Sequence, residues 1–226
     1  MKKFLFENRI NFLFLFISFL CISVVLGLEN IPFQNTSWLY GNNDAAAYQL
    51  GWYFFQNDIW RFPIGKNPNY GDAISSSIVY TDSIPLLAFF FKLIRNFIPG
   101  NFQYYSFWYF LCFFFQLFFA YKILKKFTQS DLYSLVATIF FITAPIFIFK
   151  INWHGSVAMG GLLLCALYLG LTKKVNECKL YWIYLIIISS LIEYSSMIIV
   201  IAVYSFLRIL ELNFKKESFF QITKDF

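Results

Sequence analysis

The sequence predicts an all-α polytopic membrane protein with about six spans and a long first outer loop that contains juxtamembrane helices. Hydrophobic residues make up 59% of the chain and charged residues only 13%, whereas a soluble domain carries about 25% charged residues. Apolar runs long enough to cross a hydrocarbon layer of about 30 Å recur along the chain, and lysines separate them. We therefore expect one integral membrane module over residues 1–226.

The net charge of +6 does not indicate a nucleic-acid surface. The 32 phenylalanines lie in lipid-compatible runs such as 89–91 and 113–115, without the interleaved lysine and arginine that nucleic-acid binding requires. The four cysteines have no spacing typical of a disulfide or a metal site. We expect membrane lipid, and no nucleic acid, around this chain.

The first elements are a cytoplasmic start at residues 1–11 and a first span at residues 12–28. Lysines and an arginine precede an apolar run of about 18 residues, which is long enough to span the membrane. A cleaved signal peptide is the alternative, but the run is long for one and no small-x-small cleavage pattern precedes Glu29. We therefore expect an uncleaved anchor.

Residues 29–101 form the predicted first outer loop, in which the polar residues able to do chemistry are concentrated. Asn42 or Asn43 predicts a helix start, and Asp44 then lies in the first turn, where the backbone dipole favours a negative charge. Tyr48 follows at helical spacing on the same face.

Two further segments of this loop have distinct patterns. Residues 61–72 are rich in proline, glycine and asparagine, which predicts a turn region with neither strand nor helix. Residues 84–98 predict a helix with Ser83 as its cap. A helix of that length rises only about 22 Å, and its polar and apolar residues separate onto opposite faces, so we expect it to lie along the membrane surface.

Residues 102–226 contain the remaining spans, predicted at 103–121, 132–149, 157–172, 180–192 and 196–212. With the N-terminus in the cytoplasm, this arrangement places the lysine-rich connections there too, as the positive-inside rule requires. Glu193 interrupts the last apolar region and predicts a hairpin that turns at that residue. Because the chain stops just after an apolar run, we expect it to be the N-terminal part of a longer protein, truncated at the C-terminus.

Several segments resemble an uncharacterised bacterial membrane family known only as a domain of unknown function. They are Asp-Ala-Ala at 44–46, Gly-Trp-Tyr-Phe-Phe at 51–55, Trp-Arg-Phe-Pro-Ile-Gly at 60–65, and 75–88, which ends in Pro-Leu-Leu-Ala. More broadly, one span followed by an outer loop with an Asp-x-x-x-Tyr helix and a Pro-Leu-Leu helix is similar to the GT-C superfamily of polyprenyl-phosphate-sugar glycosyltransferases.

The wider resemblance implies a GT-C-like helical bundle in a bacterial inner membrane, with the first loop on the periplasmic side. It implies inverting transfer of a sugar from a polyprenyl-phosphate donor to an envelope glycan or lipid. In that group an acidic residue early in the first outer loop is the catalytic base, and the position that matches is Asp44. Asp82 is the second candidate acid, because two acids flank one outer loop.

The sequence departs from the GT-C pattern just before the Pro-Leu-Leu helix, where it has Thr81-Asp82-Ser83 in place of a basic residue. Either another cation binds the donor phosphate, or Asp82 joins Asp44 in holding a divalent metal ion. The candidate cations are Arg61, Lys66, Lys150 and His154.

Tyr48 and Trp52 are the aromatic candidates for contact with the sugar. Two non-enzymatic alternatives stay open: a carrier or flippase for lipid-linked sugars, and an envelope assembly partner. A transporter typically places polar residues inside its spans, near the midplane. Here the polar residues cluster in an outer loop, which favours an enzyme.

Overall fold

The computed structural model describes residues 2–41, 43–71 and 74–213, and these residues are predominantly helical. The only sheet in this part of the chain is a pair of two-residue antiparallel strands, β1 (Lys66–Asn67) and β2 (Ser76–Ser77). The predicted all-α fold class is therefore confirmed. The helices are α1 (Lys2–Leu26), α2 (Asn43–Asn57), α3 (Pro85–Leu93), α4 (Tyr105–Thr128), α5 (Asp131–Ile142), α6 (Pro145–Trp153), α7 (Gly160–Thr172), α8 (Lys179–Ile192) and α9 (Tyr194–Asn213).

Five segments of the described chain are long and apolar enough to cross a membrane, and the bent pair α5 and α6 makes a sixth if it is counted as one span. The chain is therefore an integral membrane protein. The five segments are Arg9–Leu26, Tyr105–Thr128, Gly155–Thr172, Val175–Ile192 and Tyr194–Glu211.

The two ends of the bundle differ in what they hold. Residues 27–104 connect the end of α1 to the start of α4, and we call the end of the bundle where they lie the loop end. At the opposite end, Lys126 of α4 donates a hydrogen bond to Leu171 O of α7, and Lys125 forms an ion pair of 2.8 Å with Asp131 of α5. We call this opposite end the lysine end.

Helix α4 is the centre of the bundle and packs against α1, α5 and α7. Its buried face contains Trp108, Cys112, Phe113 and Leu117, whose spacing places them along one side of a helix. A second buried cluster joins α7, α8 and α9 around Trp182. Helix α7 contacts α4, α8 and α9, so it connects the two clusters.

The segment predicted as a single span at 132–149 is two helices, α5 and α6, bent by 52°. Pro145 begins α6, and the preceding residue Ala144 has an extended ψ of 127°. Proline lacks an N–H and disfavours the helical conformation of the residue before it. The predicted span at 132–149 is therefore broken at Pro145, and it counts as one span only if α5 and α6 cross the membrane together.

The hairpin predicted at Glu193 is confirmed. Glu193 has an extended conformation between α8 and α9, and its Oε2 accepts hydrogen bonds from the N–H groups of Ser195 and Ser196 at 2.7 and 3.1 Å. At the lysine end, Glu211 accepts a hydrogen bond from the N–H of Val175. The start of α8 and the end of α9 therefore lie together, so the two helices are antiparallel.

The loop region differs from its prediction in two places. Ser83 does not cap α3: Ile84 is the residue before the helix, it has a positive φ of 49°, and no side chain caps the helix. Strand β1 lies inside the region 61–72 that was predicted to contain no strand, because its partner β2 lies outside that region. Asn42 and Asp72 lie outside the described residues.

Helix α3 itself is short and is followed by a 3-10 turn at Arg95–Phe97. It is not among the segments that qualify as membrane spans. This agrees with the prediction of a juxtamembrane helix over 84–98.

Candidate functional site

Asp44 and His154 meet at the loop end of the bundle. Asp44 lies in the first turn of α2, and His154 directly follows α6. His154 Nδ1 is 3.6 Å from Asp44 Oδ2, and the two side chains are 54% and 47% exposed. This distance exceeds that of a direct hydrogen bond, but catalytic contacts are often long before substrate binds. The pair is accessible to a substrate.

Two hydrogen bonds fix the backbone on either side of His154. The buried Tyr48 hydroxyl donates to Trp153 O at 3.3 Å, and the buried Trp108 indole donates to Gly155 O at 2.7 Å. A Cβ atom on Gly155 would lie only 2.9 Å from Cε1 of Tyr109, so a glycine here allows the chain to approach α4. The position of His154 thus depends on both α2 and α4.

Asp82 lies on a loop that packs tightly against α2. The Ser83 hydroxyl donates to Tyr48 O at 2.7 Å and lies 2.8 Å from the Thr81 hydroxyl. A Cβ atom on Gly51 would lie 2.5 Å from the Thr81 Cβ, so only glycine allows this contact.

The conformation of Asp82 is itself unusual, with a φ of 52°. A non-glycine residue in this region costs roughly 1–3 kcal/mol, and such residues cluster at functional sites. Within the described part of the chain, the Asp82 carboxylate caps no helix, because α3 has no side-chain cap. Helix capping therefore does not explain the positive φ of Asp82.

The site acids influence one another electrostatically. Partial desolvation raises the pKa of Asp82 above its ordinary value, and the negative charges of Glu193 and Asp44 raise it further, whereas His154 acts in the opposite direction. Burial, followed by the charges of Asp82 and Asp44, raises the pKa of Tyr48. The Tyr48 phenol therefore stays neutral and remains a hydrogen-bond donor.

Glu193 is the member of this group that sequence reasoning did not place in the site. It is buried in the turn between α8 and α9, and its charge acts on Asp82. The available signal was a carboxylate that interrupts an apolar region, which marks a functional candidate in a membrane protein.

Two of the predicted binding residues lie away from the Asp44–His154 pair. Trp52 is fully buried, and its indole donates to Phe102 O at 3.0 Å, so it offers no surface to a sugar. Arg61 forms two hydrogen bonds with Asp58, of 2.9 and 3.1 Å. Asp58 follows the far end of α2, and the helix rise separates it from Asp44 by about 20 Å along the axis.

The other two cations lie nearer the pair. Lys150 is half-buried in the last turn of α6, and its carbonyl oxygen accepts a hydrogen bond of 2.9 Å from the His154 N–H. Lys66 is exposed in β1, and the neighbouring Asn67 donates to Gly51 O of α2 at 2.9 Å. The structure thus brings Asp44, Tyr48, Asp82 and His154 together, with Lys150 one turn away.

A family model described as a domain of unknown function, DUF6311, matches residues 15–222. The chain belongs to the DUF6311 family. The match confirms the expected membership of a family known only as a domain of unknown function, and it covers the whole candidate site. No curated protein and no solved structure matches the chain. The similarity of this DUF6311 chain to the GT-C superfamily stays a prediction.

The described side chains do not by themselves form the divalent-ion site that was one of the two predicted alternatives. Across the described residues of this DUF6311 chain, no three side chains of His, Cys, Asp or Glu are placed to hold a metal ion together. Magnesium is commonly bound by one or two carboxylates together with substrate phosphates. Any ion shared by Asp44 and Asp82 would therefore need ligands from a substrate.

An apolar groove of about 330 Å³ begins beside the site and extends toward the membrane interior. Its upper end is formed by Leu86, Trp108 and Ile192. Leu86 and Ile192 are close in sequence to Asp82 and Glu193. Trp108 donates a hydrogen bond to Gly155 O, next to His154. Phe119 marks its lower end, about 16 Å further along α4. In this DUF6311 chain the groove lies between α3, α4, α7 and α8, its lining is apolar, and Asp44, Asp82 and His154 are not among the residues that line it.

Proposed function

We propose that this chain is part of a glycosyltransferase that moves a sugar from a polyprenyl-phosphate carrier to a hydroxyl group of a cell-envelope glycan or lipid. The observation that carries the proposal is the exposed Asp44–His154 pair, 3.6 Å apart, at the loop end of a membrane bundle. An aspartate beside a histidine is an arrangement that general-base catalysis uses. The sugar carrier is inferred from the resemblance to the GT-C superfamily.

In the proposed reaction, the acceptor hydroxyl oxygen attacks the anomeric carbon of the sugar. Its proton passes to the Asp44 carboxylate, either directly or through His154. The bond between the anomeric carbon and the phosphate oxygen breaks, and polyprenyl phosphate departs with the electron pair. Attack opposite the departing phosphate inverts the configuration at the anomeric carbon.

The departing phosphate requires stabilisation of its negative charge. We assign this role to Lys150, which lies in the last turn of α6, one helical turn before His154. Asp82 is the second contributor we propose: it lies beside the site, where partial desolvation and the charges of Glu193 and Asp44 raise its pKa, and the proposed contact is a hydrogen bond between its carboxyl group and a phosphate oxygen. Arg61 is not assigned this role, because it lies beside Asp58 at the other end of α2.

The groove lined by Leu86, Trp108 and Phe119 supports a lipid-linked donor. Its lining is apolar throughout, and its upper end lies beside the site. A polyprenyl chain seated there would place its phosphate next to Asp82 and Lys150. Such a chain avoids water without displacing polar groups.

The alternative of a carrier or flippase is favoured by one observation, the 52° break between α5 and α6. Transporters often bind substrate at interrupted helices. At this break, however, the Thr143 hydroxyl donates to Ile139 O of its own helix at 3.1 Å, and Pro145 accounts for the bend. The titratable cluster lies at the loop end, which supports the enzyme.

The test is mass spectrometry of envelope glycans and glycolipids from cells that lack the gene. The cells carry full-length wild type, Asp44→Asn or Glu177→Gln, with each protein present in the membrane at the same level. Glu177 is the matched control, since it is an exposed acid at the lysine end. We expect wild type and Glu177→Gln to restore a sugar-containing species that Asp44→Asn does not restore.

Full restoration by Asp44→Asn would overturn the proposal. The carrier and the assembly partner would then be the remaining interpretations. The mass of the lost species identifies the transferred sugar if the proposal holds.

A further inference from the structure

Helix α3 buries its one charged residue, Lys92, and exposes apolar side chains at its C-terminal end and in the 3-10 turn that follows it. Lys92 is buried, whereas Leu93 and Phe97 are 72% and 89% exposed. A helix on a water-facing surface has the opposite arrangement. The outward side of α3 therefore suits an apolar environment.

The segment 59–64 extends this apolar side. Phe62 is 90% exposed, and Ile59 and Ile64 are also exposed. The Lys92 ammonium joins the segment to α3: it donates to Ile59 O at 3.4 Å and lies 4.8 Å from the centre of the Trp60 ring. We call the continuous surface made by residues 59–64 and 90–97 the interfacial surface.

The interfacial surface lies at the level where the spans end. Leu86 and Leu87 of α3 line the same groove as Trp108 of α4 and Ile192 of α8. Trp108 and Ile192 belong to the loop-end turns of two spans. The outward side of α3 therefore meets the lipid headgroup layer rather than bulk water.

A cluster with more cations than anions lies directly behind this surface. Within the described residues, Arg61, Lys92 and Arg95 lie around one carboxylate, that of Asp58. The pKa of Lys92 is lowered to about 8, chiefly by desolvation; the charge of Asp58 opposes this shift, and the positive charges of Arg95 and Arg61 contribute to it. The Arg61 side chain is 40% exposed, so part of its guanidinium faces outward.

We propose that the interfacial surface binds anionic phospholipid, with Leu93, Phe97 and Phe62 among the acyl chains and the Arg61 guanidinium at the phosphate. The occupant follows from the combination of excess positive charge and exposed apolar side chains at headgroup level. An arginine suits a phosphate because its planar N–H groups match the phosphate oxygens. This surface is distinct from the Asp44–His154 pair and does not depend on the proposed reaction.

The test measures which lipids the full protein retains. The protein is reconstituted in nanodiscs of equal phosphatidylglycerol and phosphatidylcholine, extracted, and examined by native mass spectrometry. We expect wild type to retain phosphatidylglycerol preferentially. Arg61→Gln should lower that preference about fivefold, which is the effect of one basic residue near an anionic membrane surface.

Arg61→Lys separates charge from structure. Lysine keeps the positive charge but loses the two-point fit to Asp58, so it should retain the preference if the lipid contact is electrostatic. Equal loss in Arg61→Lys and Arg61→Gln would overturn the proposal, as would the absence of any preference in wild type. A dimer that Leu93→Ser and Phe97→Ser dissociate would identify the surface as a contact between copies and would also overturn it.

Discussion

His154 Nδ1 lies 3.6 Å from Asp44 Oδ2, although Asp44 lies in the first turn of α2 and His154 directly follows α6, far away in sequence. The Tyr48 hydroxyl and the Trp108 indole hold the carbonyl groups on either side of the histidine. The Asp44–His154 pair is therefore built by α2, α4 and α6 together.

If this pair acts as one base, substitution of either residue should lower the activity of the protein to a similar extent. We expect Asp44→Asn and His154→Ala each to lower the transfer rate by about 10²–10⁴-fold. The double variant should be no slower than the slower single variant, because residues that act as a unit are not additive. The measurement is the initial rate of the purified protein in proteoliposomes with the donor identified by mass spectrometry. Losses that multiply would show that the residues act independently.

Gly51→Ala should separate the Asp82 loop from α2. The added Cβ would lie 2.5 Å from the Thr81 Cβ and 2.7 Å from the Ser83 hydroxyl oxygen, and overpacking of this kind costs about 1–3 kcal/mol. We expect a lower unfolding temperature in detergent. Gly41→Ala is the control, because no atom lies within 4 Å of its Cβ position. Equal stability of the two variants would contradict the tight contact.

Asp82 should make the folded protein less stable as the pH rises. Because its folded pKa lies above the ordinary 3.8, its contribution to stability is complete below that value and is lost as the pH rises through the raised pKa. We expect Asp82→Asn to unfold at a higher temperature than wild type at neutral pH and at the same temperature below pH 3.8. Asparagine also tolerates a positive φ. The measurement is thermal unfolding across this pH range.

Asp58 provides a control of opposite sign for that experiment. Its hydrogen bond with Arg61 holds the pKa of Asp58 below its ordinary value, so its stabilising contribution is present at neutral pH and is lost on acidification. Asp58→Asn should therefore lower the unfolding temperature at neutral pH. The same direction of change in both variants would contradict the assigned pKa directions.

Lys92 should stabilise the fold more at alkaline pH. Its pKa is lowered from 10.5 to about 8, so the unfolded chain holds more protons in this window and the stability of wild type rises with pH. Lys92→Met keeps the length of the side chain but removes the titration. We expect the unfolding temperature of Lys92→Met, relative to wild type in uncharged detergent, to fall between pH 8 and pH 10.5. A constant difference would contradict this prediction.

Lys92→Ala tests the packing of the same side chain separately. It leaves a cavity beneath the ring of Phe55, whose centre lies 3.7 Å from the ammonium. Truncation of a long buried side chain costs roughly 2–5 kcal/mol. We expect Lys92→Ala to be less stable than wild type at every pH in the window.

The spans were predictable because their signal is local. A run of apolar residues must satisfy its backbone hydrogen bonds within itself in lipid, and this requires a helix. Thus α4, α7, α8 and α9 lie close to their predicted positions. The carboxylate of Glu193 also marked the final turn correctly, because an acid within an apolar run is costly unless it has partners.

The errors arose where the outcome depends on distant partners. Ser83 has the sequence context of a helix cap, but its hydroxyl donates to Tyr48 O of α2 instead. Strand β1 forms only because β2 pairs with it. Arg61 and Lys150 were equal candidates for phosphate binding, and the ion pair with Asp58 at the far end of α2 separates the first from the site.

The sequence by itself determined the membrane class of this protein, the positions of most of its spans and the concentration of polar residues in one loop, because these follow from composition and from the length of apolar runs. Only the tertiary structure decided that Asp44, His154 and Glu193 share one end of the bundle and that α3 buries its lysine. Those relationships depend on how α2, α4, α6 and α8 pack, and packing joins residues that have no local signal in common.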